Sequence, residues 1–379
     1  MIFNVTDNII SPMGMTTAEN YETAKRGKSK QHRFKGLWDL PEPFTASLML
    51  RSALEPSFSN GGKYHFTFFE KMAVFSARTA IREACVDTTS PRVLFIFSTT
   101  KGNVSLLDKR RSGFPKERVL LGVAAQQITD YFHNPNPPIV VSNACISGVC
   151  AQIEAMRNLE SGDYDVAIVI GVDVQSAFTV SGFQSLKALS GERCRPFDAR
   201  RDGLNLGDAA ATIVYMRKDT VDENDWVAVR GAIRNDANHI SGPSRTGEGS
   251  YRALRAALGD FDPNELAFIN VHGTATVYND EMESFAIERA GLSQVPVNGL
   301  KGYFGHTMGA AGVLETILSM YAIDDHNILP TKGFEKPGVT HPLVIYRKNQ
   351  PTDKRAFIKL LSGFGGCNAA LLMAKGGAK

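Results

Sequence analysis

Apolar and polar residues follow two patterns that alternate along this chain. Short apolar runs have the length of buried strands, and between them apolar residues recur at the three-to-four-residue spacing of a one-sided helix. This alternation predicts an α/β fold with buried sheets. The predicted strands are a short N-terminal segment and residues 93–97, 138–141, 166–172, 211–216, 227–232, 267–271, 296–298, 356–361 and 370–373. The predicted helices cover residues 18–24, 67–86, 119–131, 151–159, 249–258, 280–290 and 309–324.

A polar, acidic stretch at 219–225 is the best candidate for a boundary within the chain. It predicts an N-terminal half at 1–218 and a C-terminal half at 219–379. One local pattern occurs in both halves, namely an apolar strand, a turn of small residues and a helix. The turn contains Cys145 in the first half and His306 in the second. In a fold built from two similar halves, both turns would approach one shared centre.

Composition narrows the class of protein. Of the 379 residues, 43% are hydrophobic and 21% are charged, which is ordinary for a globular protein with a large core. The net charge of +3 is too small to indicate a nucleic-acid partner. Five scattered cysteines argue against a disulfide framework or zinc site and favour a reducing, cytoplasmic location. The N-terminus lacks signal-peptide features, and no apolar run is long enough to span a membrane.

Cys145 is the strongest candidate for a reactive side chain. It follows the apolar run 138–141 and the turn-forming pair Ser142 and Asn143, and a helical pattern begins shortly afterwards. Free backbone N–H groups and the helix dipole should lower the pKa of a thiol at this position, and the N–H groups can also receive an oxyanion. The alternative is a buried structural cysteine, which is the more common kind in intracellular proteins.

Two histidines occupy similar positions. His272 and His306 each follow a predicted strand and lie among Gly, Ala and Thr residues, which let a ligand approach closely. A Gly-rich segment around Phe364 ends another strand and suits a mobile loop. The sequence contains no phosphate-binding loop, no dinucleotide-binding glycine motif and no H-E-x-x-H, so neither a nucleotide nor a metal site is predicted.

Five motifs carry a resemblance to a known family. They are NACISG at Cys145, RPFDARRDGLNLGDAAA at 195–211, VHGTATVYNDEMES at 271–284, KGYFGHTMGAAG at 301–312 and SGFGGCNAA at 362–370. In this order they resemble the β-ketoacyl-acyl carrier protein synthases of the elongating, Cys-His-His group in the thiolase-like superfamily. The first 40 residues match more loosely. The resemblance implies a five-layered αβαβα fold made of two pseudo-repeated halves.

The resemblance also implies a reaction, the decarboxylative Claisen condensation. An acyl group is held as a thioester on Cys145, and a malonyl thioester loses CO2 to form the carbanion that attacks it. His272 and His306 would each donate a hydrogen bond to the malonyl thioester carbonyl. The backbone N–H groups of Cys145 and Phe364 would hold the oxyanion of the acyl group, and Phe364 would also gate the acyl pocket.

Supporting residues are implied around this centre. Lys301 resembles a lysine beside the second histidine, and its expected salt-bridge partner is Glu283, with Asp280 nearby. Ala275 stands where the family usually has Gly or Ser, and Gly242 is a second departure; both bear on the shape of the acyl pocket. The residues expected to contact the pantetheine arm are Thr274, Thr276 and Ser241, the last in place of a Thr.

The resemblance implies an acyl carrier protein (ACP) as partner and no cofactor or metal, because the phosphopantetheine arm of ACP carries the substrates. Carrier proteins are acidic, so the basic segments 25–35 and 109–118 are candidate docking surfaces, together with Arg195, Arg200 and Arg201. A homodimer is expected, with a heterodimer of homologous subunits as the alternative. Fatty acid elongation is the default pathway, and a specialised polyketide or aryl polyene pathway stays open.

Four alternative functions remain at this point. A non-condensing or partner-dependent subunit, such as a chain-length factor, usually lacks the nucleophile that Cys145 would provide here. A thiolase would need a second catalytic cysteine, for which Cys367 is a candidate, and an initiating synthase would carry Asn in place of His306. A scaffold that binds carrier protein without turnover has no need of a reactive thiol.

Overall fold

The computed structural model describes residues 1–58, 64–108, 113–220 and 222–376. Within these ranges the helices are α1 (Thr17–Lys25), α2 (Phe68–Ala84), α3 (Leu121–Tyr131), α4 (Ser147–Glu160), α5 (Ala177–Ser185), α6 (Glu248–Leu258), α7 (Val277–Arg289), α8 (Lys301–Phe304) and α9 (Ala311–Asp324). The strands are β1 (Ile2–Ile10), β2 (His32–Phe34), β3 (Phe44–Ser47), β4 (Val93–Ser98), β5 (Ile139–Val141), β6 (Val166–Asp173), β7 (Leu206–Gly207), β8 (Ala209–Arg217), β9 (Trp226–Asn235), β10 (Leu266–Asn270), β11 (Val297–Asn298), β12 (Asn327–Ile328), β13 (Gln350–Pro351), β14 (Ala356–Gly363) and β15 (Cys367–Lys375).

The main sheet repeats one topology. Its N-terminal part has the order β5-β4-β6-β8-β1, and its C-terminal part has the order β11-β10-β14-β15-β9. Counted within each part in chain order, both run 3-2-4-5-1. The two parts meet at a short pairing of Phe3 with Val227 and of Asn4 with Trp226. The two sheets are therefore pseudo-repeats, while the boundary at 218/219 stays a prediction.

Helices cover both faces of each part of the sheet. Helices α2 and α3 pack on the outer face of the N-terminal strands, and α6 and α7 pack on the outer face of the C-terminal strands. Helices α4 and α9 share a single core with strands from both parts, so they form the middle layer. The layers follow one another as αβαβα, which confirms the predicted architecture. No helix in the described ranges is both long enough and apolar enough to cross a membrane.

The apolar periodicity located the core elements to within a few residues. The helix predicted at 67–86, for example, is Phe68–Ala84. The pattern missed helix α5 and the small sheet β2-β3-β7. The strands of this small sheet contain two to four residues, which is too few to show a period of two. The first strand is also longer than predicted, at nine residues.

A close crossing of α4 and α9 positions the two central turns. A Cβ atom added at Gly148 of α4 would lie 2.9 Å from Cα of Gly312 on α9. The missing side chains let the two backbones touch. Because α4 begins just after Cys145 and α9 begins just after His306, this contact brings both residues to the middle of the molecule.

Candidate active site

Cys145 lies in a tight turn between strand β5 and helix α4. The preceding residue, Ala144, has a left-handed backbone with φ of 45°. Ser147 stabilises the turn, since its Oγ accepts a hydrogen bond from Asn143 N (2.8 Å) and donates one to Ala144 O (2.6 Å). The side chain of Cys145 is buried and lines a cavity beside the helix crossing.

The pKa of this thiol differs from the prediction. Burial raises the pKa of Cys145 to about 12, and the nearby thiol of Cys367 adds to the rise. The positive charges of Lys301 and Lys101 act in the opposite direction but are outweighed. The expectation of a lowered pKa was therefore wrong, because loss of hydration destabilises the thiolate more than the nearby positive charges stabilise it.

His272 and His306 both face Cys145. The sulfur of Cys145 and the ring nitrogens of the two histidines lie within 4.8 Å of one another. The two rings are nearly perpendicular, at 81°, with centroids 5.1 Å apart. All three side chains are buried. The structure thus brings together the three residues that the sequence analysis singled out. Cys145 and His272 are 127 positions apart in the chain, and His272 and His306 are 34 positions apart.

Both imidazoles are neutral and keep one ring nitrogen free. His306 Nδ1 accepts a hydrogen bond from the backbone N–H of Met308 (3.2 Å), so its proton lies on Nε2. Nε2 of His306 and Nδ1 of His272 are buried and have no hydrogen-bond partner. Burial lowers the pKa of both rings well below 6.5, and the charge of Lys301 lowers it further. An unpaired buried polar atom is costly, so these two nitrogens are suited to pair with a polar atom of a ligand.

Lys301 supports His272, but its ion-pair partner is not the predicted one. Its Nζ donates to the backbone carbonyl of His272 (2.6 Å) and pairs with Glu315 of α9 (2.9 Å). The prediction of Glu283 as partner was wrong, because α9 packs a carboxylate directly against the lysine. Lys359, on β14, reaches the same carboxylate at 2.6 Å.

Glu283 and Asp280 instead hold the backbone of the His272 loop. Glu283 accepts hydrogen bonds from the N–H groups of His272 and Gly273, both at 2.7 Å. Asp280 accepts from Ala275 N (3.2 Å) and Phe197 N (2.7 Å). Burial raises the pKa of both carboxyl groups, to about 6 for Asp280. These two residues of α7 therefore hold the turn after β10 in place through hydrogen bonds to its backbone.

A cavity of 380 Å³ opens above the three central residues. The predicted pantetheine contacts Thr274, Thr276 and Ser241 line it, and so does Phe364. Thr274 and Thr276 are hydrogen-bonded to each other through their hydroxyl groups (2.9 Å). Cys367 is buried behind the cavity, where its Sγ lies 3.3 Å from Phe364 O, and it is absent from the cavity lining. That position does not suit the second nucleophile that a thiolase requires.

Several residues of this centre escaped the sequence analysis. Phe183 of α5 stacks on Phe364, and no periodic pattern marked it. Glu315 was indistinguishable from any other residue of a helix. Lys359 carried a signal that was overlooked, since it is a charge inside the apolar run 356–361, where both faces of the strand are buried.

The basic residues predicted to dock the carrier protein differ in how exposed they are, and their docking role stays a prediction. Residues 109–112 of the second segment lie outside the described residues. Arg201 was wrongly placed among the surface charges, since it is buried and faces Asp280 at 3.8 Å. Arg195 and Arg200 lie nearer the surface and pair with Glu192 and Glu335.

The three central side chains are also the only group of three or more His, Cys, Asp or Glu in the described ranges whose ligand atoms converge closely. The prediction that the protein uses no metal or cofactor stays a prediction. What the arrangement offers chemically is a thiol nucleophile facing two neutral imidazoles, each of which has a free ring nitrogen.

Comparison with known proteins agrees with this geometry. Residues 13–220 match the family described as beta-ketoacyl synthase, N-terminal domain, and residues 227–335 match beta-ketoacyl synthase, C-terminal domain. A 3-oxoacyl-[acyl-carrier-protein] synthase 2 from Rhizobium meliloti is 32% identical over 280 residues, which cover 67% of this chain and 64% of that protein. The enzyme of the same name from Staphylococcus aureus is 27% identical over 399 aligned positions, covering 97% of this chain and 96% of that one.

Solved structures share the fold. A chain from the complex of a ketosynthase with its chain length factor from Xenorhabdus doucetiae superposes with a TM-score of 0.86 at 23% identity, covering 99% of this chain and 98% of that one. A beta-ketoacyl synthase from Burkholderia phymatum has the same TM-score and identity and covers 99% of both chains. With both family domains matched in order and the thiol and imidazoles in place, the chain belongs to the β-ketoacyl synthase family of the thiolase-like superfamily, acyltransferases that form carbon–carbon bonds in fatty acid or polyketide synthesis.

Proposed function

We propose that this chain is itself a condensing enzyme of the elongating type, with Cys145 as nucleophile and His272 and His306 as catalytic hydrogen-bond donors. The observation that carries the proposal is the convergence of the Cys145 sulfur and the ring nitrogens of both histidines within 4.8 Å. The unpartnered ring nitrogens of the two imidazoles support it, because a hydrogen bond with the substrate would pair them.

The first half-reaction loads an acyl group. The Cys145 sulfur attacks the carbonyl of an acyl thioester, and backbone N–H groups of Cys145 and Phe364 bind the oxyanion. Because burial raises the pKa of the thiol, the proton leaves as the carbon–sulfur bond forms and not before. It goes to the departing carrier thiolate, so that the products are acyl-Cys145 and a free carrier thiol.

The second half-reaction forms the carbon–carbon bond. The malonyl carboxylate leaves as CO2, and its electron pair becomes an enolate whose oxygen accepts hydrogen bonds from His272 and His306. The enolate carbon attacks the acyl-Cys145 carbonyl and expels the Cys145 thiolate, which takes up a proton. Each donor placed where this charge develops contributes about 3 kcal/mol to the transition state. The low pKa of both rings keeps them neutral, so they donate hydrogen bonds without competing as acids.

We further propose ACP as the substrate carrier. Thr274, Thr276 and Ser241 line the cavity in positions that suit contact with a pantetheine arm. The basic segment 25–35 provides positive charge for an acidic carrier protein. No cofactor enters this scheme, since loss of CO2 drives the condensation. A cytoplasmic location follows from the same reasoning, because carrier proteins of this kind act there.

A dimer is the proposed assembly. Strand β5, next to Cys145, is one of the two edge strands of the main sheet, and its residues Ile139, Val140 and Val141 are apolar and only half-buried. Pairing of two such edges would cover them. The partner is either a second copy or a homologous subunit. The alternative of a non-condensing, chain-length-factor-like subunit is less well supported, because Cys145, His272 and His306 are all present.

The proposal is tested by the mass of the products left on the carrier protein. Purified protein is mixed with acyl-ACP and malonyl-ACP, and the carrier is analysed by intact mass spectrometry. A product two carbons longer that bears a ketone, absent for C145A, supports a self-sufficient enzyme. Wild-type protein that leaves malonyl-ACP unchanged with every acyl donor would contradict self-sufficiency, and a repeat with a homologous subunit added would identify a partner-dependent enzyme.

A further inference from the structure

Two buried lysines share one carboxylate behind the catalytic histidines. Lys301 Nζ lies 2.9 Å from Glu315 Oε1, and Lys359 Nζ lies 2.6 Å from Glu315 Oε2. Neither lysine side chain is exposed. With all three groups ionised, the cluster has one positive charge in excess. Two buried charges of the same sign are expensive to maintain side by side, so this arrangement calls for a function.

Lys359 binds the strand that carries His272. In the register of β10 and β14, Lys359 is the partner of Asn270. Its Nζ donates to Asn270 Oδ1 (2.6 Å), Asn270 O (3.2 Å) and Val271 O (3.2 Å). Lys301 binds the next carbonyl along, that of His272. The two ammonium groups therefore hold three consecutive carbonyls, the last of which belongs to a catalytic residue.

The other ionisable groups around the cluster are few. Glu283 approaches from α7 and adds negative charge, while Glu315 approaches from α9. The imidazoles of His272 and His306 lie in front of the cluster, and the charge of Lys359 acts on both of them in the same direction as that of Lys301. Burial lowers the pKa of Lys359 itself, and Glu315 opposes that change.

We propose that Lys359 is a positioning residue for the condensation, which fixes the backbone carrying His272 and supplies a buried positive charge to the enolate oxygen between the two imidazoles. This inference rests on the proposed function and deepens it. During decarboxylation, negative charge moves from the malonyl carboxylate to the enolate oxygen. A fixed positive charge on the imidazole side favours that transfer and therefore stabilises the transition state more than the ground state.

The experiment compares two variants of Lys359 with a matched control. K359M removes the charge and every donor, whereas K359Q removes the charge and keeps an N–H donor. K354M is the control, because Lys354 also donates to a carbonyl of β10. Its acceptor is Leu266 O (3.1 Å), at the opposite end of β10 from Asn270. Two rates are measured for each protein, malonyl-ACP decarboxylation and acylation of Cys145 by acyl-ACP.

Both Lys359 variants should lose about 10- to 100-fold in kcat for decarboxylation, by analogy with the loss seen when a group that orients a metal-binding histidine is removed. KM for malonyl-ACP should change less than kcat, and acylation should stay within about two-fold, because its oxyanion is held by backbone N–H groups. The acid limb of the decarboxylation profile should also move to higher pH, since loss of a nearby cation raises the pKa of both imidazoles. K354M should behave as wild type.

Three results would overturn the inference: equal loss of both rates, full rescue by K359Q, or an unshifted pH profile. Should neither variant fold, the wild-type profile decides. Burial lowers the pKa of Lys359, so decarboxylation must decline at alkaline pH below the range of an ordinary lysine while acylation does not. A wild-type enzyme that never decarboxylates malonyl-ACP would instead contradict the proposed function.

Discussion

Phe183 and Phe364 stack with ring centroids 5.8 Å apart and 28° between the ring planes. Phe183 is held in helix α5, whereas Phe364 follows β14 and is partly exposed. Gly365 and Gly366, directly after Phe364, both have positive φ, a conformation that favours glycine. The stack therefore ties a glycine-rich loop at the cavity to a rigid helix, and breaking it should open the path to Cys145.

Replacing Phe183 with Leu should loosen the Phe364 loop. An aromatic stack contributes about 1 kcal/mol beyond its buried area, which corresponds to a shift of about five-fold between closed and open loop. We expect a bulky aryl maleimide to label Cys145 about five-fold faster in F183L than in wild type, measured by mass spectrometry. F178L is the control, because Phe178 is on the same helix but exposed. Equal acceleration in both variants would show that the helix, and not the stack, matters.

The reactivity of Cys145 toward a small alkylating agent should keep rising at alkaline pH. The raised pKa, about 12, leaves the thiolate a minor species throughout the neutral range, and its fraction grows tenfold for each pH unit below that value. The rate of iodoacetamide labelling at Cys145 should therefore still increase between pH 9 and pH 10. Cys85, an exposed thiol of the same chain, provides the internal comparison. A plateau for Cys145 below pH 9 would restore the original prediction of a helix-stabilised thiolate.

Loss of the His306 ring should impair decarboxylation and spare acyl loading. Removing one donor from an oxyanion-binding pair typically costs 10²- to 10³-fold in rate, and we expect H306A to lose about that much in malonyl-ACP decarboxylation. H306N keeps an N–H donor and should fall between H306A and wild type. Acylation of Cys145 should change little in either variant. Parallel loss of both rates would indicate that His306 acts on the thiol and not on the enolate.

The crossing of α4 and α9 should tolerate no added methyl group. G148A places its Cβ 2.9 Å from the backbone of Gly312, and we expect a loss of about 1–3 kcal/mol in the free energy of unfolding. The contrasting variant is G122A in α3, where no atom lies within 4 Å of the added Cβ. It should gain about 0.5–1 kcal/mol, because alanine loses less backbone entropy than glycine in a helix. Denaturant unfolding measures both, and destabilisation of G122A equal to that of G148A would refute the close crossing.

Local patterns in the chain were enough to locate most strands and helices and to place Cys145, His272 and His306 in turns at strand ends. Periodicity and turn chemistry depend on residues close together in sequence, so they can be read without knowing the fold. The five motifs then indicated the family, and with it the layered architecture that the strand order 3-2-4-5-1 in each half confirms.

Other properties depended on contacts between distant segments. Which acid faces Lys301 is decided by the packing of α9 against the His272 loop, and this selected Glu315 over Glu283. Lys359 joins the same carboxylate only because β14 lies beside β10. Burial of Cys145 in the folded protein raises the pKa of its thiol, and this effect outweighs the lowering expected from the helix. Desolvation and ion pairing depend on three-dimensional surroundings, so only the folded chain determines them.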